Sequence, residues 1–579
     1  MGRRHWVWLG ICAFLLGTGF GETAWAVSGQ HPGFAWPAWG RAAFWAAGGG
    51  LGLAWAAFQS ASWKVGFSWD FLSGWRLGAA SLWPCLAGWL WPLVAGLPLP
   101  PPHDFPLRKL EIFLAFQAVT CLCGAGALGL LGLWRTKAFL KWSSGSFGLR
   151  LAGLCFMAYL LSGAWVGQWN VTGDAPHYIL MADSLVHDHD VDLANNYANR
   201  DWLRFYDRDL EPQVPDQPDG RQVPEHKPGL PLLIAPGYYF LGFSGVLWTL
   251  GLLAALGGTL FFLFCRKVGY DPGQAFLGWC LFCFTAPWWV NSELAMPEMA
   301  GGLAFLVFWA GWVDLLPAWA GAAGCASLAW LDLHFYPAAL ALLAVDVWRR
   351  RRLGLKGSAV SVLVVAASFA AALVYNHSLF GSYNPVESYR QRGMDMAFLE
   401  KAGTMFGHSL GMLLDQEYGW FPFVPVFYLS FLGAWSWWRR DKAFFWGLVA
   451  PSLVYLLPVL AFFGWYSGMA PNRYLVCLTP AFALFSLEAW RAWKHRFFFN
   501  LLAVLSWLWA FCFTVVPWFC WSKAEGENWI LRIAGRCLHL DLAAWFPSYM
   551  VHRPADTAWV AALLVAAVVS VRKLGAPAA

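Results

Sequence analysis

Runs of about 20 apolar residues recur along most of the chain, and they limit its fold more than any motif does. "GVLWTLGLLAALGGTLFFLF" (245–264) is one of them. Such a run is long enough to cross a hydrocarbon core of ~30 Å as a helix. Only helices and closed barrels satisfy their own backbone groups there. A barrel would need short alternating segments, and none is evident. Charged residues make up 12% of the chain, against roughly 25% in soluble domains. With 59% hydrophobic residues and a mean hydropathy of +0.49, the chain reads as an all-α polytopic membrane protein.

Hydropathy predicts about 16 transmembrane helices. They fall near 6–27, 41–61, 76–98, 112–134, 151–167, 244–265, 274–291, 299–315, 317–331, 335–348, 358–379, 419–437, 443–464, 474–490, 498–519 and 557–571. With Met1 inside, every dense basic cluster falls on inside loops. These include Arg135/Lys137/Lys141, Arg266/Lys267, Arg349 to Arg352, Arg439/Arg440/Lys442, Arg491/Lys494/Arg496 and Arg572/Lys573. Inside loops then hold 23 of the 39 Lys and Arg, as the positive-inside rule requires.

The net charge of +6 is spread over these loops, so it sets orientation and gives no footing for nucleic acid. The 42 tryptophans suit interfacial anchors. Cys280 and Cys283 form a C-x-x-C inside an apolar run with no His or charge nearby, and read as small core residues. Cys520 and Cys537 flank an expected external loop, close enough in sequence to pair. Residues 1–26 read either as a cleaved signal peptide or as a first anchor helix. Both readings send the following residues outside.

The same parity places a large loop, 168–228, outside, with 12 of the 33 acidic residues and five Lys or Arg. It opens with "TGDAPHYILMADSL", where Ile179, Ala182 and Leu185/Val186 recur at helical spacing. Asp174 stands where a helix N-cap would, with Pro176 in the first turn. A capped carboxylate also has a fixed position, so capping and catalysis are compatible. His187-Asp188-His189-Asp190 offers metal-type side chains without the converging geometry a site needs, and reads as solvated loop. The loop returns to the membrane through "PEHKPGLPLLIAPGYYFLG". There Lys227 reads either as a side chain snorkelling to headgroups or as a point cation for a lipid phosphate. The flanking prolines stiffen the segment.

"GDAPHYILMADSL" followed by "EHKPGLPLL" resembles the GT-C superfamily of integral-membrane glycosyltransferases. The similarity is to the branch of protein O-mannosyltransferases and aminoarabinose transferases, uncharacterised bacterial members included. "NSELAMPEM" (291–299), "LAWLDLHFYPAAL" (328–340), "LLDQEYGWFPFVPVFYL" and "GMAPNRYLVCLTP" are weaker echoes in the same order, so the resemblance covers about 150–490. It implies a GT-C-like membrane domain over 151–579, with a first external loop carrying short helices. Residues 1–150 then form an appended membrane module of about four helices. Many relatives carry Asp-Glu where this chain has Asp174-Ala175.

The resemblance implies transfer of a sugar from a polyprenyl-phosphate donor to a lipid, protein or polysaccharide acceptor. The reaction would be an inverting single displacement at the outer face of a bacterial cytoplasmic membrane. Phosphate leaves readily, so the acceptor needs one positioned base; Asp174 matches the family's loop-start acid. Lys227, then Arg473, with Arg390 and Arg392 in "ESYRQRG", are candidates for the donor phosphate. His177, His226, Glu298, His334 and Glu417 are candidates for acceptor contacts or for support behind them. The pattern points to no particular cofactor and leaves a divalent metal open. Two other classes remain: a transporter or lipid flippase, which would carry mid-helix charges and internal repeats, and a non-catalytic protein of the same fold.

Overall fold

A computed structural model describes residues 144–562 apart from 167–170, 172, 216–219, 352–354, 394–402, 463–464, 494–495, 516, 521–525, 529–530, 533–534, 536–538 and 552–555. The chain divides at Lys141/Trp142, and every described residue belongs to the second unit. The four N-terminal spans, the signal-peptide alternative, Cys537 and most of the last span lie outside the described residues.

Helix accounts for nearly all regular structure, and no strand occurs among the described residues. In chain order come α1 (Ser144–Val166), α2 (Ala175–His187) and α3 (Ala194–Asn199). Then follow α4 (Gly229–Lys267), α5 (Pro272–Cys283), α6 (Ala286–Asn291) and α7 (Pro297–Trp312). Next are α8 (Ala318–Leu331), α9 (Tyr336–Arg350), α10 (Leu355–Phe380) and α11 (Glu387–Gln391). The later part holds α12 (Met405–Leu414), α13 (Trp420–Phe423) and α14 (Ser430–Arg440). It ends with α15 (Lys442–Phe462), α16 (Thr479–Ala492) and α17 (Arg496–Val515). Among the described residues, five segments are long and apolar enough to cross a membrane, including Gly229–Lys267, Ser358–Phe380 and Lys442–Phe462. The chain is an integral membrane protein.

Prolines explain most differences from the hydropathic spans. The span expected at 274–291 breaks between α5 and α6, where Pro287 opens the second piece; it has no N–H to continue the first. The span at 419–437 is three pieces, α13, a 3-10 turn Pro425–Leu429 and α14. That at 474–490 starts as a 3-10 turn, Arg473–Leu478, before Pro480 opens α16. Helix α4 begins 15 residues before its hydropathic span near 244, and bends at Gly242, whose φ of 58° suits glycine.

Helices α7 and α8 form a hairpin in which the Gly311 and Gly321 backbones meet closely, the small-residue packing that membrane helices use. Helix α1 lies along α4, α14 along α16, and α8 against α10. Trp279, Trp288, Trp309 and Trp420 fill the interior. Leu232, Phe240, Trp248, Leu252, Val360 and Leu363 point outward on α4 and α10. In water such a surface would be a liability; against lipid it is neutral. Basic residues close one end of these helices, with Arg349 on Asp314 and Arg350 on Asp346. The opposite ends of α4, α7, α9 and α10 meet under the 168–228 loop.

Candidate functional site

Gly173, at φ 59°, turns the chain so that α2 starts at Ala175 with Asp174 in the N-cap place. Its side chain makes no cap bond. It pairs with Arg473 instead, Nη2 to Oδ2 at 2.7 Å. The next side chain, Ala175, is fully buried in packing. Arg473 Nε lies 3.4 Å from Glu298, which opens α7, and Nη1 touches Met296 Sδ. The Arg473 turn is itself braced. Asn472 N donates to Tyr418 O at 3.0 Å and Trp420 Nε1 donates to Asn472 O at 2.9 Å. Burial alone would raise the Asp174 carboxyl, but the adjacent guanidinium reverses this and holds it at about 2. Asp174 is therefore a fixed, ionised carboxylate.

The returning segment Pro224–Gly229 is buried by protein throughout, which removes the snorkelling reading of Lys227. That lysine is 4% exposed, and its Nζ donates to Asn376 Oδ1 at 3.0 Å. Burial lowers it to about 8, with Asp332 acting the other way. Its recorded hydrogen-bond partner is a neutral amide. Glu225 takes Arg392 as its ion partner, and burial still leaves its carboxyl raised. Gly229 follows, its Cα so close to Trp330 that a Cβ would stand 2.4 Å from the carbonyl oxygen.

Between these two centres lies Asp332, at the turn joining α8 to α9. It accepts from Tyr178 Oη at 3.2 Å, Tyr389 Oη at 3.3 Å and Leu333 N at 2.6 Å, and His334 Nδ1 is 3.1 Å away. Burial would raise its carboxyl, but His334 foremost among its neighbours lowers it overall. His226 stacks on Tyr178 at 4.7 Å and gives Nε2 to Gln213 at 2.8 Å. His177 Nδ1 meets Tyr197 Oη at 2.8 Å, and burial followed by His226 lowers His177 to about 3, so it is neutral. His226 Nδ1, Glu225 Oε2 and Glu298 Oε2 are buried without a hydrogen-bond partner. Buried polar atoms are seldom left so.

One neighbourhood around Asp332 thus gathers Asp174, His177, His226, Lys227, Glu298, His334, Arg392 and Arg473. Arg390 is exposed on α11 and makes no ion pair among the described residues. Glu417 faces another way, accepting from Gly526 N at 2.8 Å in a buried Asp415–Tyr418 segment that ties down the later loops. His187 to Asp190 are exposed, as expected. Among the described residues no three His, Cys, Asp or Glu converge on a point fit for a metal.

Asp332, Asn376, Tyr178, Tyr389 and Glu225 were not among the sequence candidates. Asp332 stands two residues from His334 in the quoted "LDLHFYP", a signal that was available. Glu225 adjoins the candidates His226 and Lys227. Asn376, in "YNHSLF", has no motif to mark it.

No protein-family model matches the chain, and no curated protein matches it. Two crystal structures of ArnT from Cupriavidus metallidurans are similar to it. The apo form has 16% identity and a TM-score of 0.36, and the match covers 62% of each chain, a little under two thirds of ArnT's length. The form bound to undecaprenyl phosphate has 14% identity and a TM-score of 0.37, over 75% of this chain and 74% of the other.

Proposed function

We propose that this protein is a GT-C-type glycosyltransferase. It moves a sugar from a polyprenyl-phosphate donor to an acceptor at the outer face of the membrane, with inversion in a single displacement. The observation that carries the reading is Lys227, a buried ammonium bonded to a neutral amide, which has Asp332 as a charged neighbour in common with the ionised carboxylate of Asp174. A buried cation without a carboxylate partner is costly unless an anion joins it. A phosphate on a lipid, arriving between the helix ends, is such an anion.

Asp174 is the base in this reading. The acceptor's nucleophilic atom attacks the anomeric carbon, the bond to the phosphate oxygen breaks, and the proton passes to the carboxylate. Arg473 makes Asp174 a weak base in the resting protein. The arriving phosphate brings negative charge and raises the carboxyl, so the base strengthens as the donor binds. Arg473 thus holds Asp174 in place, and the phosphate contact falls to Lys227, with Arg392 behind it through Glu225. His177, His226, Glu298 and His334 line the acceptor side or support it. Charges at helix ends and in loops, with none in mid-membrane positions of the network, favour this over a transporter.

Purified protein in lipid nanodiscs, given a polyprenyl-phosphate sugar and membrane extract, tests the assignment. Asp174→Asn abolishes transfer while expression and monodispersity hold. Undiminished transfer by the variant removes Asp174 as the base. Sugar or lipid flux across vesicles without transfer removes the enzyme reading altogether.

A further inference from the structure

Lys227 is aimed by a residue that no motif marks. Asn376 sits fully buried on the last turns of α10. Its Nδ2 donates to Ser382 O and to Asn384 O, both at 2.8 Å. Two carbonyl acceptors fix which way the amide lies, because a flipped amide would set Oδ1 against both. Oδ1 is left to face Lys227. Asn376 therefore joins three things: α10, the turn 382–384 that leads into α11, and the cation after the loop.

We propose that Asn376 is a positioning residue for the phosphate of a polyprenyl-type lipid, with or without its sugar, aiming the Lys227 ammonium while leaving it without a bonded carboxylate. The inference rests on the reading of Lys227 as the phosphate cation. The acids around Lys227 are already engaged. Asp332 is held by Tyr178, Tyr389 and Leu333, with His334 beside it; Glu225 pairs with Arg392; Asp174 pairs with Arg473. His226 precedes Lys227 in sequence and points to Gln213. An aspartate at 376 would fail twice. It would neutralise the ammonium, and it would face two carbonyl oxygens with no donor. An alanine would keep the charge and lose the aim.

The two variants move the protonation of Lys227 in opposite directions, which a merely structural role would not do. Binding of a polyprenyl monophosphate to the full-length protein in nanodiscs, followed by tryptophan fluorescence from pH 6 to 10 (the range is chosen to span the lysine), reads this out. An anion needs the charged lysine, so wild-type binding is full at neutral pH and fades as pH rises through about 8. Asn376→Asp weakens neutral-pH binding about tenfold, the usual loss for a contact to a charged group, and shifts the alkaline fall upward, because a carboxylate favours the ammonium. Asn376→Ala weakens binding and shifts the fall downward. Either variant alone suffices if the other does not extract as a monodisperse protein. Unchanged affinity and an unmoved alkaline limb in a folded variant overturn the inference. Failure of the underlying reading looks different: wild type binds no polyprenyl phosphate, or Lys227→Met binds it as well. Displacement of the lipid by inorganic phosphate at equal concentration would overturn the lipid assignment.

Discussion

Asp174 and Arg473 are 299 residues apart in sequence and 2.7 Å apart in space. The carboxylate was legible because Gly173 and Pro176 frame it locally. Its partner was legible only as a cation, and its role could not be read, since nothing in a sequence records a contact over that separation. Losing the guanidinium should be visible in a pH profile. Without Arg473, the largest influence holding the Asp174 carboxyl down is gone, and burial lifts it with only His226 left to oppose. The transfer reaction of Arg473→Gln therefore loses activity as pH falls through a range where wild type is still fully active, because wild-type Asp174 stays ionised down to about 2. An acid limb at the same pH in both proteins would show that Arg473 does not govern Asp174. Asp183 teaches the opposite lesson. It lies in the acid-rich loop, where charge costs little, yet it is 1% exposed and bound by Tyr238 Oη at 2.6 Å and Arg204 at 2.8 Å. Its place on the inner face of α2 follows from helical phase, and the phase was in the sequence. Asp183→Ala leaves the Tyr238 hydroxyl without its acceptor, while Arg204 keeps Asp201 and is half exposed, and costs about 1–3 kcal/mol, seen as a lower thermal midpoint with no change in donor affinity.

One helix start was read from its local signals, that at Ala175, where Asp174 and Pro176 mark it. Helix breaks inside continuous apolar sequence were not, because hydropathy runs straight through 284–285 and 424–425 and only backbone chemistry interrupts it. The segment 229–241 was missed as helix for a related reason. It begins after a charged triplet, so it reads as loop until the burial of Leu230, Ile234 and Tyr238 on one face is known. The junction of this segment with α8 is tight. Gly229→Ala forces a methyl against the Trp330 carbonyl, and such overpacking costs about 1–3 kcal/mol. It also moves Lys227 relative to Asp332. The variant is thus expected to lose both stability and donor affinity. Loss of stability with unchanged binding of polyprenyl phosphate would separate this junction from the site.

At the scale of the whole molecule, the basic loops and the candidate site lie at opposite ends of the same helices, which the charge pattern alone had already implied. This predicts a labelling pattern. A cysteine at the exposed Ser378 reacts with a membrane-impermeant thiol reagent in intact cells, above the wild-type background, whereas one at the exposed Ala443 reacts only after permeabilisation. The reverse pattern would turn the site to the inside and remove an outer-face acceptor. The role of the first 150 residues and the identity of sugar and acceptor were beyond reach, because each depends on surfaces and chemistries that no local pattern encodes. The claim that joins all these levels is that Asp174, held by Arg473, serves as the base and Lys227 as the phosphate cation in a sugar transfer outside the membrane. Mass spectrometry of envelope lipids, proteins and polysaccharides tests it directly, comparing wild type, a deletion strain and a strain with Asp174→Asn at equal membrane abundance. The account predicts that one sugar-bearing species disappears in the deletion and is equally absent with Asp174→Asn. A species lost on deletion but restored in full by Asp174→Asn would contradict it.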